Sequence, residues 1–415
     1  MIQYILFVII LCILFFFAFI KIKYPFWNNQ PVFHTYDFFR YFYSKPYIYS
    51  HTPLKTKFLD FYQVYTFNSI DIPEYYEKQL LNLLQCHYIS NESITHNITS
   101  DELFSKFKGF SNSCYISVYH PKKIQLIESS QDEKNIQLNF SNNISGCITS
   151  KPIYFVFRPT LNDTYYEQMI VYFIDYLCIQ REDDYKTISR KLLQTHEHNQ
   201  RIYNPNIHVS IIKKEVELFD GVIPLVSYDT YTYTIPKIKP FNSSLKYYIE
   251  KINEENINLI SDFFQNSLDN KTHNIYFDII IFIELNNLLL LIKNNIYHIY
   301  CLKHKNNVFA IYFFKNMKNN YDNIEGNSIQ LVSSIMKCKS PEVFYKGFIN
   351  ALSDLKKTYK DFKILLIDNI GHNTTILYNW SQYNKQTLCH QSAYYLLNYI
   401  YPNSPMFKER CFILF

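Results

Sequence analysis

Two pairs of metal-ligand residue types stand close together in the sequence. His196 and His198 are separated by one residue, and Cys301 and His304 by two. A tetrahedral zinc site takes four such ligands. No second pair at similar spacing completes either set. We therefore expect no metal site, and we expect the two histidines of residues 196–198 to be solvated on a polar helix.

A basic segment has the residue types of an anion-binding helix start. Lys186 and Arg190 flank Thr187, near which a helix is expected to begin. A helix start offers free N–H groups and a positive dipole end, which can hold a pyrophosphate. The acidic residues 182–184 oppose an anion. They fit equally well an ordinary helix start that is capped by an acid.

The glycines exclude several nucleotide-binding motifs. The chain of 415 residues contains six glycines. They stand at positions 109, 146, 221, 326, 347 and 371. A P-loop, a dinucleotide-binding turn and a nucleophile elbow each need at least two close glycines. These motifs are excluded, and with them most nucleotide-dependent enzymes and α/β-hydrolases.

The composition is that of a folded protein with reduced thiols. The 48% of hydrophobic and 18% of aromatic residues exclude a disordered chain. The length predicts two domains or one large double domain. The net charge of +5 is spread along the chain, so we expect no nucleic-acid binding. Nine cysteines without a C-x-x-C pair favour a cytosolic compartment.

The first 20 residues predict a membrane anchor. Residues 1–20 carry no charged side chain and are followed by Lys21 and Lys23. About 20 apolar residues in a helix cross a hydrocarbon layer of about 30 Å. A signal peptide would have basic residues before the apolar run and small residues near its end, where this chain has phenylalanines. We predict a single-pass anchor, with the rest of the chain in the cytosol by the positive-inside rule.

Strand-like and helix-like stretches alternate over the remaining chain. The predicted strands, rich in Ile, Val, Tyr and Phe, are residues 114–119, 146–157, 171–179, 208–212, 297–302, 308–314 and 362–367. The predicted helices are residues 74–84, 185–197, 254–265 and 341–358. The last has Ser340 as its cap and Pro341 as its first residue.

Two polar stretches predict connections between these elements. Residues 315–327 are rich in Asn and predict a surface loop. Residues 234–244 contain two prolines and predict a linker that divides the chain nearly in half. The predicted fold class is therefore α/β, in two halves of similar size.

A series of segments resembles one known family. Residues 24–32 read YPFWNNQPV and residues 173–181 read FIDYLCIQR. They resemble the F-W-x-T-Q-P-V segment and the E-I-N-F-L-C-x-H-K signature of N-myristoyltransferases. Further segments that resemble the family, in the same order, are residues 80–88, 145–152, 233–240, 295–314, 362–373 and 394–399. The resemblance covers nearly all of residues 24–415.

The sequence also departs from this family. Residues 384–390 stand where the family has its glycine-rich K-F-G-x-G-D-G signature. Asp175, Gln180 and Arg181 stand where the family has Asn, His and Lys. Such departures are expected of a diverged homologue, for example a viral one, and equally of an inactive one.

The resemblance implies a fold and an activity. The fold is the acetyltransferase-like (GNAT-type) fold duplicated in two halves, here residues 24–233, which would bind acyl-CoA, and residues 234–415, which would bind the peptide. The activity is transfer of a myristoyl group to the N-terminal glycine of a peptide or protein. Myristoyl-CoA is the co-substrate, and no cofactor is bound permanently.

The resemblance also implies roles for particular residues. Backbone N–H groups that form the oxyanion hole map to Tyr176 and Leu177, and the C-terminal carboxylate that acts as base maps to Phe415. The acyl-CoA-binding positions map to Tyr24, Phe26, Trp27, Cys178, Ile179, Lys186, Thr187, Ile188 and Arg190. Tyr24 and Trp27 would stack on adenine, or alternatively would hold the chain where it leaves the membrane.

Two other functions fit the same residues. The first is a non-catalytic homologue that binds acyl-CoA or acylated peptides. The lost glycine signature and the acidic residues 182–184 favour it. The second is an acyltransferase with a different amine acceptor, such as a small amine or a lysine.

Overall fold

A computed structural model shows a mixed α/β fold, as the sequence predicts. It describes residues 1–38, 45–51, 55–89, 94–121, 124–127, 137–140, 143–159, 165–241, 247–268, 277–321 and 324–415.

The helices of the described residues are α1 Ile2–Lys23, α2 Glu74–His87, α3 Ser100–Ser105, α4 Tyr185–Tyr203, α5 Asn258–Leu268, α6 Leu285–Lys293, α7 Pro341–Thr358 and α8 Asn373–Ser381. Three of them, α3, α4 and α7, begin at a side-chain cap. At α7, the Ser340 hydroxyl accepts a hydrogen bond from the Val343 N–H at 3.3 Å, and Pro341 takes the first position. At α3, Thr99 and Glu102 form a reciprocal capping box.

The strands are rich in β-branched and aromatic residues. In chain order they are β1 Tyr47–Ile48, β2 Val64–Asn68, β3 Ile94–His96, β4 Tyr115–Tyr119, β5 Ile124–Ile127, β6 Gln137–Phe140, β7 Gly146–Phe157, β8 Glu167–Ile179, β9 Ser210–Glu215, β10 Val226–Thr234, β11 Tyr248–Lys251, β12 Ile279–Phe282, β13 Tyr297–His304, β14 Asn307–Tyr321, β15 Ile324–Met336, β16 Phe362–Asp368, β17 Leu388–Leu397, β18 Tyr399–Ile400 and β19 Cys411–Leu414.

One sheet, with 15 strands among the described residues, runs through the molecule. Its path is β11-β13-β14-β15-β16-β10-β17-β9-β8-β7-β12-β19. Strand β4 pairs with β7 and β2, and β3 pairs with β14. Strand β17 lies between β9 and β10, while β12 and β19 extend the sheet beyond β7. Strands from before and after residue 234 therefore alternate in one sheet.

Two strand–helix–strand units place parallel strands side by side. In β8–α4–β9, residues 172–174 pair with residues 210–212. In β15–α7–β16, residues 327–331 pair with residues 362–367. A helix makes each crossover, because parallel neighbours cannot be joined by a tight turn. Beyond these short pairings the two strands of each unit part, and β9 continues against β17 on its other side.

Apolar faces of the helices cover this sheet. Helices α7 and α8 pack through Phe344, Phe348 and Trp380 in one core with strands β13–β16. Helix α4 packs through Ile188 and Leu192 in a second core, shared with β8, β9 and β17. Full burial of one such side chain stabilises the fold by about 1.5–3 kcal/mol. These cores fix the helix starts relative to the strand ends.

The predicted elements are confirmed, with some ends shifted. Residues 146–157 and 341–358 form a strand and a helix with the predicted bounds. The surface loop predicted at residues 315–327 is wrong, because β14 extends to Tyr321 and β15 begins at Ile324. Pairing of β14 with β3 stabilises these polar residues in a strand despite their low β-propensity.

The predicted linker begins after β10. Residues 235–241 form no helix or strand, and residues 242–244 of the prediction lie outside the described part of the chain.

Helix α1 corresponds to the predicted anchor. By length and composition it can cross a membrane, and a signal sequence near the N-terminus would pass the same test. Its side chains are exposed except for Ile20, which is 4% exposed. At its end Lys23 lies 3.7 Å from Asp220.

Candidate active site

A β-bulge interrupts β8 directly after it parts from β9. Residues 147 and 149 of β7 pair with residues 178 and 175 of β8, so one residue of β7 faces both Tyr176 and Leu177. Tyr176 has φ of 49°, which is uncommon for a residue other than glycine. A bulge takes peptide groups out of the regular ladder and redirects them. The two residues to which the resemblance gives oxyanion-binding N–H groups therefore lie beside the gap between β8 and β9.

The Asp175 side chain contacts the first of these peptide groups. Its Oδ1 accepts a hydrogen bond from the Tyr176 N–H at 2.9 Å. The Tyr176 side chain is buried, where its hydroxyl accepts a hydrogen bond from Lys106 and its ring centre lies 4.9 Å from that of Tyr88. An oxyanion at the bulge would therefore compete with a carboxylate for the Tyr176 N–H.

Phe415 is buried beside this gap. Strand β19 pairs in parallel with β12 and carries Phe415 toward β8. The centre of its ring lies 3.8 Å from that of Phe173 and 5.5 Å from that of Tyr394. Its main-chain oxygen accepts hydrogen bonds from the Tyr297 hydroxyl at 2.7 Å and from Lys315 Nζ at 3.2 Å. Two polar donors thus hold this oxygen inside the molecule.

The bulge and Phe415 belong to one electrostatic site. Burial lowers the pKa of Lys315, and the negative charge of Asp175 opposes that shift. Burial raises the pKa of the Tyr297 hydroxyl, and Asp175 raises it further. The charge of Asp175 at the bulge therefore acts on the pKa of both groups that donate hydrogen bonds to Phe415. Phe415 contacts Phe173, which lies in β8 three residues before Tyr176.

Helix α4 begins at Tyr185, where the sequence predicts a helix over residues 185–197, and the acidic residue Asp184 caps it. Asp184 Oδ1 accepts a hydrogen bond from the Thr187 N–H at 3.2 Å, and the Thr187 side chain together with this N–H lowers the Asp184 pKa. The side chains of Lys186 and Thr187 are exposed. Asp184 therefore occupies one of the N–H groups that a pyrophosphate would use.

Three of the residues assigned to acyl-CoA are core residues. Cys178 and Ile179 of β8 and Ile188 of α4 are buried in apolar cores that join this strand and helix to the sheet. Arg190 is partly exposed, and its guanidinium lies 5.9 Å from the centre of the Phe26 ring. The helix start and the segment after α1 are therefore neighbours.

The aromatic residues after α1 contact the protein itself. The Tyr24 ring stacks on Tyr36 with centres 5.7 Å apart. The Trp27 ring lies 4.5 Å from that of Phe219, and Phe26 is buried. These contacts favour the alternative in which the aromatic residues hold the chain where it leaves α1.

The expectation of solvated histidines on α4 is wrong. His196 and His198 are buried, and the Ser117 hydroxyl lies 2.7 Å from His196 Nδ1. Burial lowers the His196 pKa to about 3. The polar residues of this helix point into the protein, where some of them form hydrogen bonds, such as that from the Ser210 hydroxyl to Glu197. Among the described residues, no group of three or more His, Cys, Asp or Glu side chains could hold a metal ion.

Sequence reasoning assigned no role to several polar groups of this site. Lys106, Lys151, Tyr297 and Lys315 come from four separate segments, and the fold brings them together. The sequence offered one indication of such a group, because Lys151 is the charged residue of the otherwise uncharged strand Gly146–Phe157.

Comparison with solved structures identifies similar folds. A structure of Saccharomyces cerevisiae N-myristoyltransferase with bound myristoyl-CoA matches with a TM-score of 0.64 at 11% identity, over 91% of this chain and 92% of that chain. A structure of the same protein with myristoyl-CoA and inhibitors matches with a TM-score of 0.65 at 12% identity, over 92% of each chain. No protein-family model and no curated protein matches the sequence. The chain thus has a fold similar to that of N-myristoyltransferase.

Proposed function

We propose that the protein is an acyltransferase that moves a myristoyl group from myristoyl-CoA to the N-terminal glycine amine of a peptide or protein. One observation carries the proposal. In a fold similar to N-myristoyltransferase, β8 bulges at Tyr176 and Leu177 directly beyond its pairing with β9, and Phe415 is buried beside that point.

The proposed reaction is attack of the amine on the thioester carbonyl. The N–C bond forms, the C–S bond breaks, and coenzyme A leaves as the thiolate. The N–H groups of Tyr176 and Leu177 hold the oxyanion between these events, and loss of one such donor costs about 10²–10³ in rate. The backbone of the bulge is held by the sheet, whereas the Asp175 side chain must release the Tyr176 N–H before that group can bind the oxyanion.

In this proposal the carboxylate of Phe415 takes the proton of the amine. An N-terminal amine has a pKa of about 7.7–8.0, so a modest base is sufficient near pH 7. Tyr297 and Lys315 fix the position of the oxygen by donating hydrogen bonds to it. The same donors favour its charged form over its protonated form.

The proposed place for coenzyme A is the gap between β8 and β9. Beyond residues 174 and 212 the facing strand edges no longer pair with each other. Free main-chain groups on such edges suit an arm that contains amides. Lys186 and Arg190 at the start of α4 would meet the phosphates, with Asp184 opposing them.

Further parts of the proposal concern architecture and location. We assign residues 24–233 and 234–415 to two acetyltransferase-like halves. The shared order of β8–α4–β9 and β15–α7–β16, and a register shift opposite residues 313–314 of β14, support a duplication. We assign α1 as a single-pass anchor with the body in the cytosol.

A single-turnover assay tests the proposed function. The full chain in detergent is mixed with radiolabelled myristoyl-CoA and a glycine-starting peptide, and the acylated peptide is measured. The same peptide with an acetylated N-terminus is the control, because it has no free α-amine. We expect label on the free peptide only, and label on neither peptide would contradict the proposal.

The same assay separates the alternative functions. Asp175 at the bulge and Asp184 at the helix start favour a homologue that binds acyl-CoA without transferring the acyl group. That protein would retain labelled acyl-CoA on a filter and acylate no peptide. An acyltransferase for other amines would consume the thioester only when lysine or a small amine is added.

A further inference from the structure

Three lysines surround the proposed acceptor site, and we call them the lysine cluster. Lys106 follows α3, Lys151 lies in β7 and Lys315 lies in β14. Lys106 donates a hydrogen bond to the Tyr176 hydroxyl, and Lys315 donates one to the Phe415 oxygen. Burial lowers the pKa of Lys106 and of Lys151, and the positive charge of Lys315 lowers both further.

Lys151 differs from the other two members in having no polar partner. Its side chain is 3% exposed, and among the described residues it forms no ion pair or hydrogen bond. Its Nζ lies 6.0 Å from the centre of the Phe173 ring, and the centre of that ring lies 3.8 Å from that of the Phe415 ring. Lys151 is therefore a buried cation, and the Phe173 ring contacts both it and Phe415.

The surrounding acids do not balance the lysine cluster. Glu102 pairs with Lys318 at 2.5 Å, and Glu215 pairs with Lys213 at 2.5 Å. Asp175 faces all three lysines, since its charge raises the pKa of each. Asp368 also raises the pKa of Lys315. Asp175 is nevertheless the carboxylate side chain whose charge acts on all three amino groups, and the Phe415 oxygen accepts a hydrogen bond from Lys315 alone among them.

An unpaired ammonium in such a place is unfavourable in the free protein. Removing an ion from water is costly, and only a counter-charge with good geometry offsets that cost. Burial and the charge of Lys315 lower the Lys151 pKa to about 8, so most of it still carries its proton at pH 7. A bound anion would supply the missing counter-charge.

We propose that Lys151 binds a carboxylate that the acceptor carries close to its reacting amine. This inference rests on the proposed acyl transfer and names the class of acceptor: a glycine-starting peptide with Asp or Glu among its first residues. The observation behind it is the juxtaposition of unpaired, buried Lys151 with Phe173 and Phe415. A neutral or basic residue near the amine would leave the lysine uncompensated.

The reach of a peptide agrees with this placement. An extended chain advances by about 3.3–3.6 Å per residue. In the proposed binding mode the amine lies beside Phe415 and the extended peptide runs along Phe173, so that the side chain of its second or third residue reaches Lys151. An acidic side chain there would form a charge-assisted hydrogen bond, which is stronger than a neutral one.

The test uses two glycine-starting octapeptides that differ only in Glu or Gln at the second position. Transfer of radiolabelled myristate by the full chain is measured as kcat/KM for each peptide, and free glycine is a third acceptor. We expect the Glu peptide to exceed the Gln peptide at least about tenfold. Preference for free glycine over both would identify the acceptor's own α-carboxylate as the ligand of Lys151.

Matched variants connect the preference to one side chain. K151Q is expected to lower the Glu/Gln ratio to about one, and K151R to preserve it. The control is K363Q, which removes an exposed lysine of β16 and should keep the wild-type ratio. A ratio near one in the wild-type protein, or a preference that survives in K151Q, would overturn the inference.

A binding measurement separates this inference from the proposed function. Dissociation constants of the Glu and Gln peptides are measured with a non-hydrolysable myristoyl-CoA analogue present. Tighter binding of the Glu peptide without any transfer would support the carboxylate site and contradict acyl transfer. Equal binding of the two peptides, with or without transfer, would overturn the carboxylate site.

Discussion

The carboxylate of Asp175 and the proposed oxyanion would both accept a hydrogen bond from the Tyr176 N–H. The existing bond is 2.9 Å long and involves an ionised acceptor, so it is stronger than a bond to a neutral amide. A negative charge next to a developing oxyanion also raises the energy of the transition state. Asp175 is therefore expected to slow the transfer.

Asp175→Asn tests this effect at a single side chain. The amide keeps the size of the side chain and removes its charge. We predict that the variant transfers myristate about tenfold faster in a single turnover. This gain is smaller than the rate factor of about 10²–10³ that one oxyanion donor contributes. A variant with the wild-type rate or a lower one would show that the Asp175 charge does not oppose the reaction. Acyl-CoA binding by the variant is measured as a control for correct folding.

At this scale, the sequence led to candidate positions but not to their surroundings. The resemblance led to Tyr176, Leu177 and Phe415, and the departure at Asp175 was visible in the letters. Nothing in the sequence indicated that Lys106 or Lys315 would approach them. Lys106 and Lys315 lie more than 200 positions apart in the sequence, and the order of the strands in the sheet brings both to this site.

Helix α4 contributes its start to the proposed coenzyme A site. Lys186 is exposed there, while neighbouring Lys191 pairs with Asp60 at 2.9 Å. Lys186→Gln is predicted to weaken acyl-CoA binding about tenfold, because a charge-assisted contact to phosphate is worth about 1.5–3 kcal/mol. Lys360→Gln removes another exposed lysine, outside α4, and should bind normally. Equal dissociation constants for the two variants would remove this helix start from the site.

The middle of α4 makes the stability of the protein depend on pH. Glu197 is buried, and the Ser210 hydroxyl donates to its carboxyl group at 2.8 Å. Burial raises the Glu197 pKa from 4.5 to about 7. Between pH 4.5 and pH 7, the Glu197 carboxyl group keeps its proton in the folded protein, whereas in the unfolded chain it has lost the proton. The associated stability is complete below pH 4.5 and is lost as the pH rises through 7.

Glu197→Gln removes this titration. The loss for the wild-type protein between pH 4.5 and 7 is on the order of 3 kcal/mol. We therefore predict that the variant gains stability relative to the wild type as the pH rises from 5 to 8. Urea denaturation midpoints in one detergent measure the difference. A difference that stays constant with pH would contradict the assignment.

The elements themselves were largely predictable. Apolar runs and caps located strands such as Gly146–Phe157 and the helix Pro341–Thr358. The buried polar face of α4 was not predictable, because its sequence is typical of a solvated helix and the partners of residues such as His196 lie far away in the chain. The same applies to residues 315–321, where pairing with β3 overrides local preference.

Strand β19 is the last strand of the sheet, where it pairs with β12, and the Phe415 ring after it packs against Phe173 of β8. One glycine appended after Phe415 would convert its carboxylate into an amide. We predict that this change lowers the transfer rate at least about 10²-fold, the scale of positioned acid–base catalysis, and leaves acyl-CoA binding intact. Phe415→Leu keeps a terminal carboxylate and should retain more activity. Full transfer by the extended chain would contradict the role of Phe415.

Helix α1 provides the last test, because it separates attachment from chemistry. Its residues before Ile20 are exposed and apolar, and none contributes to the site at β8. A chain that starts with Met directly before Ile20 keeps the contacts of Lys23 and Tyr24 with the body. We predict that this chain leaves the membrane fraction without detergent and transfers myristate at the wild-type single-turnover rate.

A second variant keeps the helix and changes only its polarity. Ile9→Lys and Ile13→Lys together add two charges to the middle of the apolar run, each costing about 2.5–3.5 kcal/mol in a membrane span. This protein should also leave the membrane fraction. Membrane recovery of the truncated chain would contradict the anchor. A wild-type protein whose N-terminal sequencing starts after residue 20 would identify α1 as a signal sequence, because an anchor remains on the chain whereas a signal sequence is removed.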